Sequence, residues 1–250
     1  LMREFFSLEG SFNKYAGFVA DTFVLSLMWI LFSLPIFTIG ASTTALFYVA
    51  TRRIANREGY ITSDFWMAFK ANFLRGTAVW LVLFPVILLI LVSMYIGIQL
   101  GDELPLGRIV LPVQIVTLME IFFVGIYLFP VLARFDMSVK EAVKASFFMA
   151  NRHLLTSFAC FGILAGLLVF VFLVPQIFPL IFAIPGIYGI LASMMIMRVF
   201  KRYRPEMDKD PVLELQEIER KREEEKRLAE IGKADIIEEN SEEEKSNENL

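Results

Sequence analysis

"LPIFTIGASTTALFYVATRR", residues 34–53, begins as the end of an apolar helix and finishes as a basic patch. Between the two ends lie Pro35, Gly40 and the small or hydroxylated run Ala41, Ser42, Thr43 and Thr44. Three readings compete: one broken membrane span, a re-entrant loop, or a hairpin between two spans. The choice among them sets the topology of the whole chain.

The surroundings are those of a membrane protein. The 250 residues are 56% hydrophobic and 14% aromatic, with a mean hydropathy of +0.59, above the apolar share of an ordinary soluble domain. A helix needs about 20 apolar residues to cross about 30 Å of hydrocarbon. Residues 18–39, 76–100, 109–135, 154–174 and 177–198 each reach that length with few or no ionisable groups. The expected class is an all-α polytopic helix bundle in the lipid bilayer.

Charge divides the chain into two regions. Residues 1–204 carry 16 Lys/Arg and 10 Asp/Glu, whereas 205–250 carry 8 and 17. A basic membrane domain (1–204) is therefore expected to end in an acidic cytoplasmic tail (205–250), helical and then disordered. In the tail, 211–231 is rich in helix formers and in paired opposite charges such as Glu217–Lys221. Its apolar positions Val212, Leu215, Ile218 and Leu228 are too sparse for a coiled coil. Glu4, Glu9 and Lys14 precede an apolar run too long for a signal-peptide core, so no cleaved leader is expected.

Cytoplasmic loops are enriched in Lys and Arg. The segments 51–75 (Arg52, Arg53, Arg57, Lys70, Arg75), 134–153 (Arg134, Lys140, Lys144, Arg152) and 198–204 (Arg198, Lys201, Arg202, Arg204) are basic. The 101–108 turn and "VPQIFP" (174–179) are not. With 51–75 and both termini inside, residues 18–50 must cross twice. Residues 34–53 then read as an outer turn at Gly40 followed by a short return helix, 41–57. That gives about six transmembrane helices, or five if 41–57 is re-entrant, in a multi-pass protein of the cell membrane.

Two pairs of segments support a parallel internal repeat. "LFYVATR" (46–52) resembles "LFPVLAR" (128–134), and "FKANFLRGT" (69–77) resembles "FMANRHLLT" (148–156), in the same order. Two cytoplasmic-side interfacial helices follow the first member of each pair. In 62–73, Ser63 or Asp64 can cap the start while Phe65, Phe69 and Phe73 share a face, with Trp66 suited to the headgroup boundary. In 138–148, Ser138 and Glu141 have capping-box spacing and Val139, Val143 and Phe147 form an apolar stripe. These faces meet either lipid or the bundle.

Glu120 is the most unusual residue, near the middle of the fourth span. Gln114, Thr117, Glu120 and Tyr127 fall along one side of that helix. An ionisable group at that depth is costly without a partner. Two readings stay open: a polar stripe lining a substrate or proton path, or a neutral Glu120 hydrogen-bonded to a neighbouring helix. Asp21 reads as structural, and His153, the only histidine, has no nucleophile constellation beside it. With one cysteine, Cys160, no phosphate-binding glycine loop and no metal-ligand spacing, neither an enzyme nor a cofactor is expected. "GILAG" (162–166) has the GxxxG spacing that serves packing within the bundle or a homo-oligomer face. Pro85, Pro112, Pro130 and Pro185 interrupt spans, as is common in membrane helices.

Pro35, Thr38, Gly40 and Ala45 in the opening stretch, the preceding "FFSLEGSFNKYAGFVADTFVLSLMWILFSLPIFTIG" and the later "FKANF" together resemble the signature of the YesL-like family, domain of unknown function 624. The resemblance covers about residues 3–204 and leaves the acidic tail outside. It implies a small bacterial integral membrane protein with an accessory or regulatory role in carbohydrate uptake beside an ABC importer. ABC permease subunits or a sensor kinase are the partners it implies, and it supplies no catalytic or binding residues. Nucleic acid is not an expected partner. Two alternatives remain: an independent small-solute transporter or channel using the stripe around Glu120, and a membrane scaffold that recruits a partner through its tail.

Overall fold

Residue 35 is where the first helix must stop. Proline lacks the N–H that a continuing helix would need, and Pro35 is extended, with ψ 110°. In the computed structural model, which describes residues 11–55, 59–99, 107–173, 181–203, 218, 220–222, 224 and 227, α1 (Ser11–Ser33) ends just before it. A single 3-10 turn, Ile36–Thr38, leads into α2 (Ile39–Ile54). Thr38 closes the corner: its single hydroxyl hydrogen lies between the Phe32 carbonyl (2.6 Å) and the Pro35 carbonyl (2.7 Å), the first an acceptor left over at the end of α1. The Trp29 indole donates to Thr43 Oγ1 at 3.1 Å across the pair. Residues 34–53 are therefore the corner and second arm of a helical hairpin.

The turn lies at 34–38, not at Gly40. Gly40 is already helical, and its lack of a side chain serves packing instead of turning. A Cβ there would collide with the Gly76 carbonyl oxygen and lie 2.7 Å from the Trp80 Cβ. A Cβ on Gly76 would lie 2.8 Å from the Ala41 Cα. Two glycines thus let α2 and α3 (Ile61–Gln99) meet backbone to backbone.

Helix α3 runs 39 residues, about 58 Å at 1.5 Å per residue. The expected interfacial helix 62–73 is its first part, continuous with the span. No proline falls between the two segments, and Gly76 is tolerated within the helix. Phe65 and Phe69 are buried against Phe32 of α1 (ring centroids 5.6 and 4.9 Å), while Trp66 stays exposed with Lys70 over its ring. The apolar face at four-residue spacing is there, and here it meets the bundle.

The second half repeats the plan with one break. Helix α4 (Gly107–Arg134) leads through residues 135–138 into α5 (Val139–Arg152), and α6 (Leu154–Leu173) follows after His153. The 46–52 and 128–134 segments are the C-terminal ends of α2 and α4. The 69–77 segment lies inside unbroken α3, whereas 148–156 straddles the α5–α6 junction. Ser138 caps α5 as its spacing predicts: Ser138 N–H donates to Glu141 Oε2 at 3.0 Å, and Glu141 N–H returns to Ser138 Oγ. Of the two faces left open for the stripe, Val143 and Phe147 take the outward one, while Val139 packs partly against the core. Ala142, Ser146 and Ala150 face the bundle, whereas Val143, Phe147 and Phe148 are exposed. Small residues sit where α5 lies against α4, and the large apolar ones are left for lipid.

Helix α7 (Ile184–Tyr203), with Pro185 in its first turn, completes the body. Its core is shared by Phe47 of α2, Val79 of α3, the C-terminal half of α4 (Phe123, Tyr127, Val131) and Ile196 and Phe200 of α7. Helix α2 lies inside this packing: every residue from 44 to 51 is buried. Among the described residues four helical stretches suffice, by length and composition, to cross a membrane: Ile61–Gln99, Val110–Arg134, Leu154–Leu173 and Ile181–Tyr203. Helix α2, at 16 residues and about 24 Å, falls short. The second half of α3 and much of α6 present bare apolar side chains, with Val82, Leu89, Leu155 and Phe172 all more than half exposed, as lipid-facing helices must. Contacts divide the chain into residues 1–207 and 208–250. In the second unit the described positions 218, 220–222, 224 and 227 are helical and exposed. The 101–106 and 174–179 turns and most of the tail, including Val212, Leu215 and Leu228, lie outside the described residues.

Candidate functional site

Several polar groups of the membrane body hold helices together. Arg52, at the end of α2, donates from Nη1 to Asp64 Oδ1 at 2.9 Å, and both side chains are about nine-tenths buried (11% and 10% exposed). Arg53 pairs with Asp21 of α1 in a half-open position. At the other end of the hairpin's contact with α7, Ser26 Oγ accepts from Gly186 N–H (2.8 Å) and sits 3.0 Å from the Ala183 carbonyl. A Cβ on Gly186 would strike the Thr22 carbonyl, so only glycine lets α7 lie this close to α1. Arg75 of α3 reaches Asp136, just beyond α4, at 2.8 Å on the surface.

The four positions of the expected stripe go to four different places. Gln114 donates to Ser93 of α3 at 2.6 Å, and the exposed Thr117 hydroxyl turns back to the Val113 carbonyl at 2.8 Å. Glu120 accepts from Asn151 Nδ2 at 2.7 Å. Tyr127 is fully buried in the core. Asn151 stands three residues before α6 begins, so Glu120 is tied to the mouth of a span. Sequence spacing does not reveal this partner, because the contact exists only once α5 folds back along α4. The same holds for Arg52 and Asp64, which are joined only when α2 and α3 lie antiparallel.

The signature positions all serve the hairpin. Pro35 ends α1, Thr38 ties the corner, Gly40 meets Gly76, and Ala45 is fully buried. The glycines of "GILAG" do not pack: a Cβ on Gly162 or Gly166 would meet nothing within 4 Å. At the α5–α6 junction, His153 lies 3.0 Å from the Tyr203 hydroxyl, and Arg152 stands over the Tyr203 ring. Partial burial, then the positive Arg202 and Arg152, hold the His153 imidazole below its usual value. Glu141, accepting from the Ser138 backbone and hydroxyl, is held below the ordinary carboxylate range. Among the described residues no group of three or more His, Cys, Asp or Glu could hold a metal ion.

One cavity of about 320 Å³ lies between α2, α3, α4 and α7. Phe47, Leu83, Ile121 and Ile126 give it apolar walls, and Gly125 adds no side chain to them. Trp80 and Tyr188 also line it, and both the indole nitrogen and the phenol oxygen are buried without a hydrogen-bond partner.

These features define a multi-pass helical membrane protein whose interior is organised around a buried hairpin arm. Residues 22–94, which cover most of α1, all of α2 and most of α3, match the family described as "Protein of unknown function, DUF624". The chain is also 28% identical over 204 residues to "Uncharacterized protein YesL" of Bacillus subtilis (strain 168), covering 79% of this chain and 92% of that relative. Both matches make the chain similar to the YesL-like DUF624 family. No solved structure matches it.

Proposed function

We propose that the protein is a non-catalytic accessory or regulatory component of a carbohydrate importer in the cell membrane, with both termini cytoplasmic. The observation that carries the accessory reading is the fate of the polar groups on α4. Gln114 and Glu120 each reach a neighbouring helix, Thr117 turns back on its own helix, and Tyr127 is absorbed in the core, a dispersal that supports packing roles over a shared path. The link to sugar import comes from the family resemblance. The orientation rests on the basic last turns of α2, α4, α5 and α7 (Arg52 and Arg53, Arg134, Arg152, Lys201 and Arg202). In this reading α1 and α2 dip in and return together. A helix too short to span is tolerated at membrane depth because protein surrounds it.

The test is purification of the tagged full chain from a Gram-positive host in mild detergent, with quantification of sugar-permease subunits. A permease recovered in stoichiometric amount is the expected result. Sugar flux into liposomes containing this protein alone, reduced by Glu120→Gln, would overturn the proposal in favour of an independent transporter.

A further inference from the structure

We infer that the cavity between α2, α3, α4 and α7 is a site for the ester-linked acyl chain of a bilayer lipid. Its size, about 320 Å³, is at the lower end of roughly 300–1,000 Å³ for small-molecule sites. The walls are hydrocarbon, apart from the indole, the phenol and Thr43, whose hydroxyl already donates to the Ile39 carbonyl (2.7 Å) and accepts from the Trp29 indole (3.1 Å). Buried donors without partners are costly, and here two of them, Trp80 Nε1 and Tyr188 Oη, belong to one cavity. A pure hydrocarbon would leave both unsatisfied. A sugar would need many more polar partners than two. A fatty-acid carboxylate would enter with no cation among the lining residues. An ester combines an uncharged acceptor oxygen with a long apolar chain, which is what two donors in an apolar cavity call for.

The position agrees with that chemistry. Arg75, paired with Asp136, marks a charged, exposed level on α3. Trp80 follows five residues later, about 7.5 Å further along the helix, the kind of interfacial depth that tryptophan favours. From Trp80 the lining runs on through Leu83 to Ile87 of α3, opposite Leu118 and Ile121 of α4. No residue from 80 to 99 is buried, so this part of α3 is open to the bilayer from which a chain would enter. The ester oxygen then sits near the indole and phenol, with the chain extending away from the charged level.

The full chain, reconstituted in phosphatidylglycerol–phosphatidylethanolamine vesicles, is photolabelled with a trace phospholipid bearing a diazirine on its acyl chain. Unlabelled ester-linked and ether-linked lipids then compete with it. Labelling should concentrate between residues 80 and 87 and between 118 and 129, with the ester lipid competing better than the ether lipid. A Cβ on Gly125 would meet only the Phe129 ring, at 4.0 Å, so Gly125→Leu has room to fill the cavity and should cut labelling by about tenfold. Trp80→Phe with Tyr188→Phe keeps the rings and should abolish the ester preference. Labels spread evenly over the outward faces of α3 and α6, or equal competition by the two lipids against the unsubstituted chain, would overturn the assignment. If Gly125→Leu fails to fold, the ester-to-ether comparison in the double variant decides by itself.

Discussion

Adding one methyl group at Gly40 should separate the two helices that the fold depends on most. An alanine Cβ there would overlap the Gly76 carbonyl and lie 2.7 Å from the Trp80 Cβ and 2.9 Å from the Gly76 carbonyl carbon. Carbon contacts are comfortable at about 3.5–4.0 Å, so α2 must withdraw from α3 by about 1 Å, and a gap of that size forfeits roughly a quarter to a half of each dispersion contact. Overpacking of this kind costs about 1–3 kcal/mol, partly offset by as much as ~1 kcal/mol from the better helix propensity of alanine. A net loss of about 1 kcal/mol should lower the melting temperature in detergent by about 2–4 °C for a domain of this size. Gly162→Ala provides the control, since its Cβ meets nothing and only the propensity gain remains. Fluorescence-detected size-exclusion chromatography after graded heating would measure both variants. If Gly40→Ala melts with the unsubstituted protein, or if Gly162→Ala falls equally far, close packing at Gly40 is refuted.

The ion pairs and caps give further expectations. Asp64→Ala removes one side of a buried ion pair and should cost about 3–5 kcal/mol, whereas Asp21→Ala, at a half-open pair, should cost at most about 1 kcal/mol; equal losses in denaturant titrations would show that burial does not set the difference. Glu141 has a folded value below its unfolded one, so its contribution is present above the ordinary carboxylate range and is lost as pH falls through the lowered value. Hydrogen exchange at residues 139–142 should accelerate over that window, and Ser138→Ala should remove the pH step. His153 is also lowered, so as pH falls from about 7.5 to about 5.5, past its ordinary 6.5, the unfolded chain takes the proton first and stability drops. His153→Gln should flatten that part of the melting-temperature profile, and an unchanged slope would rule out the Arg152–His153–Arg202 cluster as its source.

Much of this architecture was legible because membrane length and charge are strong constraints. The four span-length helices among the described residues, the hairpin at 34–53 and the α5 capping box could be read from spacing, whereas the expected span 18–39 stops at Ser33 and the expected turn at Gly40 falls at 34–38. What escaped was the direction in which helices fold back. Nothing in residues 62–76 announces that an amphipathic segment and a span form one rod, since amphipathic and uniformly apolar stretches are both helical. The choice between lipid and bundle for Val143 and Phe147 stayed open for a related reason. In water an apolar stripe marks the buried face, but beside lipid both faces of α5 are acceptable and size decides, so that Ala142, Ser146 and Ala150 go inward. The partners of Glu120 and Arg52 are separated from them by 31 and 12 residues and lie on other helices, beyond the reach of helical periodicity.

The same inversion explains why α2 is the least span-like helix and yet among the most deeply placed. Hydrocarbon offers no hydrophobic reward for burying leucine against leucine, so association in a bilayer favours helices whose backbones can approach. The α3 segment 80–99 is strongly apolar and contributes no buried residue, whereas α2 opens with Gly40, Ala41, Ser42, Thr43, Thr44 and Ala45 and is buried from 44 to 51. Its hydroxyls need no outside partner where they turn back on their own helix, as Thr43 does to Ile39 (2.7 Å) and Thr44 to Gly40 (2.8 Å). A run of small and hydroxylated residues that lowers hydropathy therefore raises the contact an arm can make. The steric contacts that admit only glycine at 40 and 76 both fall inside the residues matched to the family. A chain with this hairpin but a larger residue at either position would have to hold α2 and α3 farther apart.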